Sequence, residues 1–261
     1  METNFLIPFL ITLFAGLSTA IGGLVVFFGN TQKLSWLSFT MSFAAGVMLY
    51  VSFVEIIPES FFDFKDNHTN TQSPLLYVSL FFIIGALFAL FTDKLIPEQK
   101  INNQLGDNVN SKSKVYRSGL LIALTLALHN FPEGIVTFLG SVNDLSFGLV
   151  IGLAIALHNI PEGMAISVPI YHATGSKKKA FLYATLSGLT EPLGAIFCYF
   201  VINNYLDDFL RAAIMSVVSG IMVFISIFVL MPMSYEYRHK YEYILGLLTG
   251  AFVIGISIYL M

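Results

Sequence analysis

Charge is what this sequence lacks most. Lys, Arg, Asp and Glu together make up 11% of its 261 residues, where a soluble domain carries about 25%. A chain so poor in charge cannot cover a globular surface with solvated groups, which excludes the ordinary soluble classes. Cysteine is nearly absent. Cys198 stands alone, so no internal disulfide can form, and its apolar neighbours make it a small buried hydrophobe. There is one Trp and no alternating ten-residue strand pattern, which argues against an outer-membrane barrel. The net charge of −3 suggests no nucleic-acid partner.

What the chain has instead is apolar bulk. Hydrophobic residues make up 56%, with 25 Phe, and the mean hydropathy is +0.77. Together these place it among all-α integral membrane proteins. A helix needs about 20 apolar residues to cross the hydrocarbon. By that measure the sequence predicts eight transmembrane helices: Phe5–Phe28, Leu34–Ile57, Pro74–Phe91, Gly119–Leu139, Phe147–Ile170, Ala180–Ile202, Ala212–Met231 and Ile244–Met261. Gly16, Gly22, Gly23 and Gly46 suit close helix packing in lipid.

The cations are distributed unevenly. Eleven of the thirteen Lys and Arg fall in alternate connections: Lys33; Lys94, Lys100, Lys112, Lys114 and Arg117; Lys177, Lys178 and Lys179; Arg238 and Lys240. Only Lys65 and Arg211 fall in the others. The positive-inside rule puts the first set in the cytoplasm, with both termini outside the cell membrane. The opposite connections are acidic, with Asp63, Asp66, Asp144, Asp207 and Asp208; these read first as plain solvated loops, with attraction of cations to the outer mouth as the alternative. The one long connection, Ile96–Tyr116, is rich in Asn, Ser and Lys and reads as a flexible cytoplasmic loop. It has no histidine to collect metal. With no soluble insertion, residues 1–261 read as a single membrane domain.

Within this apolar background one pattern occurs twice: His129-Asn130-Phe131-Pro132-Glu133-Gly134 and His158-Asn159-Ile160-Pro161-Glu162-Gly163. Imidazoles and carboxylates at membrane depth are costly and mark a functional path. On a helix, Asn130 lies about 100° and Glu133 about 40° round the axis from His129. The carboxylate therefore falls between His and Asn and can serve either side or bridge both; Glu162 is placed alike in the second copy. Pro132 and Pro161 leave the carbonyls of Leu128 and Leu157 without their helical N–H partners, so the fourth and fifth spans should kink. The span midpoints bring both copies to one depth, together with Glu191 of the sixth span.

Unpaired, each such charge would cost about 2.5–3.5 kcal/mol on insertion scales, and divalent cations would offset it. His129, Glu133, His158 and Glu162 form a nitrogen–oxygen set suited to zinc. Asn130, Asn159 and Glu191, with Glu133 and Glu162 bridging, form an all-oxygen set suited to Fe²⁺ or Mn²⁺. The bland alternative, interhelical hydrogen bonding for stability alone, does not explain two matched copies and a coplanar Glu. Lesser candidates are Met48 as a thioether ligand, Glu55 and Glu59 as an outer relay, and His172 as a cytoplasmic receiver. His68 and His239 lie in connections.

An intramembrane metallopeptidase would need Glu beside the first His as general base. Asn130 and Asn159 stand there instead, so the chain is not read as an enzyme. With these motifs and this span order the chain resembles the ZIP family of divalent-metal transporters over its whole length. The resemblance implies a ZIP-type bundle with a binuclear metal centre at His129, Asn130, Glu133, His158, Asn159, Glu162 and Glu191. It implies uptake of Zn²⁺, and of Fe²⁺ and related ions, into the cytosol as cargo, with no prosthetic group. It also implies movement between two helix groups, and outer helix triplets related as inverted repeats; no such repeat was found in the sequence. Many relatives carry histidines in the third connection, unlike Ile96–Tyr116. A metal-gated channel or a non-transporting metal receptor is the alternative function, and a homodimer is left open.

Overall fold

The structure is a computed structural model that describes residues 5–28, 34–66, 73–95, 109–202, 207–236 and 239–260. It is almost wholly helical there, with no strand among the described residues, and it arranges the eight expected spans as eight rods. These are α1 (Leu6–Gly23), ending in a 3₁₀ turn; α2 (Leu34–Val51), running through a π turn into α3 (Ile57–Asp66); and α4 (Pro74–Leu95). Next come α5 (Val109–Asn143), α6 (Leu145–Thr174), and α7 (Lys177–Gly188), which is followed by α8 (Thr190–Phe197) and a π turn. Last are α9 (Asp208–Ile225), joined by a π turn to α10 (Met231–Glu236), and α11 (Lys240–Leu260). Seven of these rods are long and apolar enough to cross a membrane. The eighth, α5, carries the first His-Asn-Phe-Pro-Glu-Gly copy, is polar in its first third, and packs along α6. The chain is a multi-pass membrane protein.

The long connection departs from its expectation. Residues 109–116, expected to be irregular, form the first two turns of α5. Extending an existing helix adds one hydrogen bond per residue fixed, with no new nucleus to form, so a polar tail on a long apolar helix stays helical. Residues 96–108, His68 and the N-terminal four residues lie outside the described segments.

The second span also continues past its expected end at Ile57. Pro58 should clash with the carbonyl of Val54, but that carbonyl lies in the π turn Ser52–Ile56, whose wider winding accommodates the ring. The same arrangement recurs in α9–α10, where Pro232 follows the π turn Ser226–Leu230. The two stretches share a pattern, Ser52-Phe-Val-Glu-Ile-Ile-Pro58-Glu-Ser60 against Ser226-Ile-Phe-Val-Leu-Met-Pro232-Met-Ser234. Their partners also correspond, with α2 packed along α11 and α9 along α4.

Contacts divide the rods into two groups. One is α1, α5, α6, α7 and α8; the other is α2–α3, α4, α9–α10 and α11; the two meet mainly at α2 against α6 and at α5 against α9. The second group is clamped at both ends. Ser38 donates to the Ser234 carbonyl at 2.9 Å, and Arg211 grips Asp63 bidentately at 2.9 and 2.6 Å. Around that ion pair Phe64 packs against the rings of Tyr77, Phe81 and Phe209. Charge-assisted hydrogen bonds are worth about 1.5–3 kcal/mol, and both side chains are mostly buried. Asp63→Asn should therefore lower the melting temperature in detergent, and swapping the two charges should recover part of the loss. Thermal unfolding of the three variants checks this.

Candidate functional site

Asp144 is the only residue between α5 and α6, and it caps α6 by accepting from the Ser146 and Phe147 backbones. So tight a turn forces the two helices antiparallel, with matched register. Gly148 faces Ser141 and Gly152 faces Thr137, so two turns further along His158 faces Glu133. The Nε2 atom of His158 lies 3.2 and 3.3 Å from the two Glu133 oxygens. Its Nδ1 lies 3.1 Å from the Ala154 carbonyl, a bond that puts the proton on Nδ1 and leaves Nε2 as the donor atom for a ligand. On the other side of Glu133, His129 Nε2 approaches Oε1 at 3.0 Å, and it lies 3.9 Å from Glu162 Oε1. Glu133 thus sits between the two imidazoles, on the His side of the two that the motif geometry left open to it. Both helices run unbroken through Pro132 and Pro161.

The sixth span reaches the cluster by a break. Pro192 cannot bond the Gly188 carbonyl, and the chain divides there into α7 and α8 at Leu189. Glu191 is thereby placed in the first turn of α8, where the helix dipole favours a carboxylate. Asn159 donates to Glu191 and, at 2.9 Å, to the Ala15 carbonyl of α1. With its amide nitrogen turned toward Glu162, Asn130 donates to Glu162 Oε2 at 3.2 Å and to the Leu126 carbonyl at 2.8 Å. The seven residues singled out from the sequence therefore form two neighbouring sets on α5, α6 and α8, His129, Asn130, Glu133, His158 and Glu162 in one and Asn159 with Glu191 in the other, and the three carboxylates are fully buried.

Backbone contacts hold the helices this close. A methyl group on Gly134 would overlap the Glu191 carbonyl, and one on Gly163 would overlap that of Thr19 in α1. The contribution of α1 is one that sequence reasoning missed. A backbone carbonyl has no side-chain signature, and only the small residues Gly16, Thr19, Gly22 and Gly23 hint at the approach.

The lesser candidates are more scattered. Met48 is buried in the apolar core. Glu55 and Glu59 are half-buried one turn apart, and Glu59 feels the charges of Asp63, Asp144 and Arg211 at the acidic end. His172 is exposed beside the Tyr171 ring. His239 lies 3.9 Å from Glu242.

Three carboxylates and two imidazoles share this buried volume, and His129 and His158 are the only basic side chains within ion-pair distance of Glu133 and Glu162 among the described residues. Five of the cluster's buried atoms have no hydrogen-bond partner: His129 Nδ1 and Nε2, Asn159 Oδ1, Glu162 Oε1 and Glu191 Oε2. The close His129–Glu133 approach is angled wrongly for a hydrogen bond. Buried polar atoms are normally satisfied, so this many open donor atoms suits a group that exchanges them for a cation. No three His, Cys, Asp or Glu among the described residues already surround one point as a finished coordination sphere.

Known proteins resemble this chain in sequence over nearly its whole length. The model of the family described as ZIP Zinc transporter matches residues 5–118 and 97–257. A zinc transporter ZupT of Campylobacter jejuni is 43% identical, covering 98% of this chain and 96% of its own. Those of Oceanobacillus iheyensis and Streptococcus mutans are 44% and 41% identical, each over 99% or more of both chains. The chain belongs to the ZIP family of transporters.

Proposed function

We propose that this chain carries Zn²⁺ across the cell membrane into the cytosol, loading it at a binuclear site made of the seven clustered residues. The observation that supports this most is Glu133 bridging His129 and His158 at full burial. His129, Glu133, His158 and Glu162 form the nitrogen-containing set that suits zinc. Asn130, Asn159 and Glu191 form, with the two bridging carboxylates, an oxygen-rich set that would also admit Fe²⁺, Mn²⁺, Co²⁺ or Cd²⁺. In the contacts above, Glu162 reaches both sets, while Glu133 contacts only the histidines. The lysine-bearing connections face the cytosol and both termini face outward. The division into two packed groups, with all seven residues in one of them, supports transport by movement of that group against the other.

Liposomes containing the purified chain and a zinc-sensing dye test this. Zinc should accumulate, unlabelled internal zinc should accelerate the uptake of external label, and the other four ions should compete. A pore without such trans-stimulation would favour the metal-gated channel, and binding without flux would favour a receptor.

A further inference from the structure

Thr19 of α1 is fully buried, and its hydroxyl has no hydrogen-bond partner. Two oxygens of the oxygen-rich set, Asn159 Oδ1 and Glu191 Oε2, are left open in the same way. We propose that Thr19 is a specificity-determining residue of that set, its hydroxyl holding a water that an octahedral ion at Asn159 and Glu191 retains. The inference rests on the two-set reading above and names the class of ion that the second set prefers.

The hydroxyl is open for a local reason. A threonine inside a helix commonly donates to the carbonyl three or four residues back, as Thr12 does to Pro8 at 3.0 Å and Thr137 to Glu133 at 2.9 Å. Four residues before Thr19 that carbonyl belongs to Ala15, which already accepts from Ser18 Oγ at 2.6 Å and from Asn159 Nδ2 at 2.9 Å. A carbonyl oxygen has two lone pairs, so none is left for Thr19. A buried hydroxyl without a partner destabilises a fold, and valine would fill the same space without that penalty.

The hydroxyl also lies beside Glu191. A Cβ at Gly188 would be 2.8 Å from Thr19 Oγ1, and one at Gly16 would be 3.2 Å from Glu191 Cβ. Gly16 stands three residues before Thr19, and Gly188 three before Glu191. Thr19 and Glu191 therefore flank one contact of α1 with α7–α8, about 4.5 Å apart along the axis. One water bridges polar groups at such a separation. A buried water needs about 2–4 polar partners. Thr19 supplies one, and the open oxygens of Asn159 and Glu191, or an ion that they bind, supply the others. At most five side chains make up the oxygen-rich set: Asn130, Asn159, Glu191 and the bridging Glu133 and Glu162. An octahedral ion such as Mn²⁺ then has a position left for water, whereas zinc favours four-coordinate sites. Thr19 thus favours Mn²⁺ or Fe²⁺ over zinc at this set and leaves the histidine set alone. A water held for packing, with no ion beside it, is the competing occupant.

Thr19→Val removes the hydroxyl and keeps the outline of the side chain. Binding of Mn²⁺ to the purified protein, read from the electron paramagnetic resonance signal of the free ion, should weaken about tenfold, the scale of loss when an outer partner of a metal site is removed. Zinc affinity should be unchanged, and the melting temperature without metal should hold or rise. Thr19→Ser should restore Mn²⁺ binding, and Thr19→Ala, which adds no bulk beside Gly188, should lose it as the valine variant does. Parent-strength Mn²⁺ binding in both hydroxyl-free variants, or equal weakening of Mn²⁺ and zinc, would overturn the inference. So would a lower melting temperature with the preference between the two ions unchanged, the result expected of a packing water. A parent chain that binds zinc but no Mn²⁺ would overturn the oxygen-rich set itself, and this inference with it.

Discussion

Glu133→Ala should reduce zinc uptake to about one-hundredth of the parent rate or less. Removing an outer partner of a metal ligand typically costs 10–100-fold, and Glu133 is placed as a ligand and as the bridge between two imidazoles. The variant should nevertheless insert and fold. Deleting one carboxylate at membrane depth saves about 2.5–3.5 kcal/mol of insertion cost. Leaving the one imidazole nitrogen that meets it, His158 Nε2, without that partner costs about 1–3 kcal/mol. The two nearly cancel, so lost transport would not be an indirect effect of lost protein. Glu133→Gln separates charge from shape, because the amide can still meet His158 but cannot neutralise a dication. Its flux should be close to that of the alanine variant. Radiolabelled zinc uptake, normalised to protein in the membrane, decides the matter; parent-level uptake by Glu133→Ala would remove Glu133 from the site.

That cluster was legible in the sequence because a charged residue in an apolar run has few explanations, and helical geometry then determines which of its neighbours share a face. The His, Asn and Glu spacing placed Glu133 between two donors, and the span midpoints added Glu191 from another helix. Backbone features were not legible in the same way. The π turns at Ser52–Ile56 and Ser226–Leu230 shift hydrogen bonds by one residue without requiring any particular side chain, so Pro58 read as an end rather than a bend. Their common Ser-x-x-x-aliphatic-x-Pro-x-Ser pattern was the available signal for the repeat. Arg211, counted as a loop cation, turns out to be helical and paired with Asp63, a contact 148 residues apart that no local pattern encodes. Residues 109–116 misled for the opposite reason. Their composition is that of a loop, and helix propagation from α5 overrides it.

The helix spacing around the cluster makes the second large prediction. A Cβ at Gly134 would lie 2.6 and 2.7 Å from the Glu191 carbonyl carbon and Cα, where carbon atoms prefer about 3.5–4.0 Å. The neighbour is backbone, so no rotamer change relieves the overlap and α8 must shift by on the order of 1 Å. Glu191 stands at that point of contact, so Gly134→Ala moves a site carboxylate without changing any of the seven clustered side chains. Overpacking of this kind costs about 1–3 kcal/mol, and the displaced Glu191 should reduce zinc uptake at least about tenfold. Gly140→Ala, on the same helix, is the control. There the added methyl would meet ring atoms of Phe147 at 3.1 and 3.2 Å and Ile151 Cδ1 at 3.6 Å, and side chains can tilt away. Its uptake should stay near that of the parent. Equal uptake by the two alanine variants would mean that the separation of α5 and α8 does not govern transport.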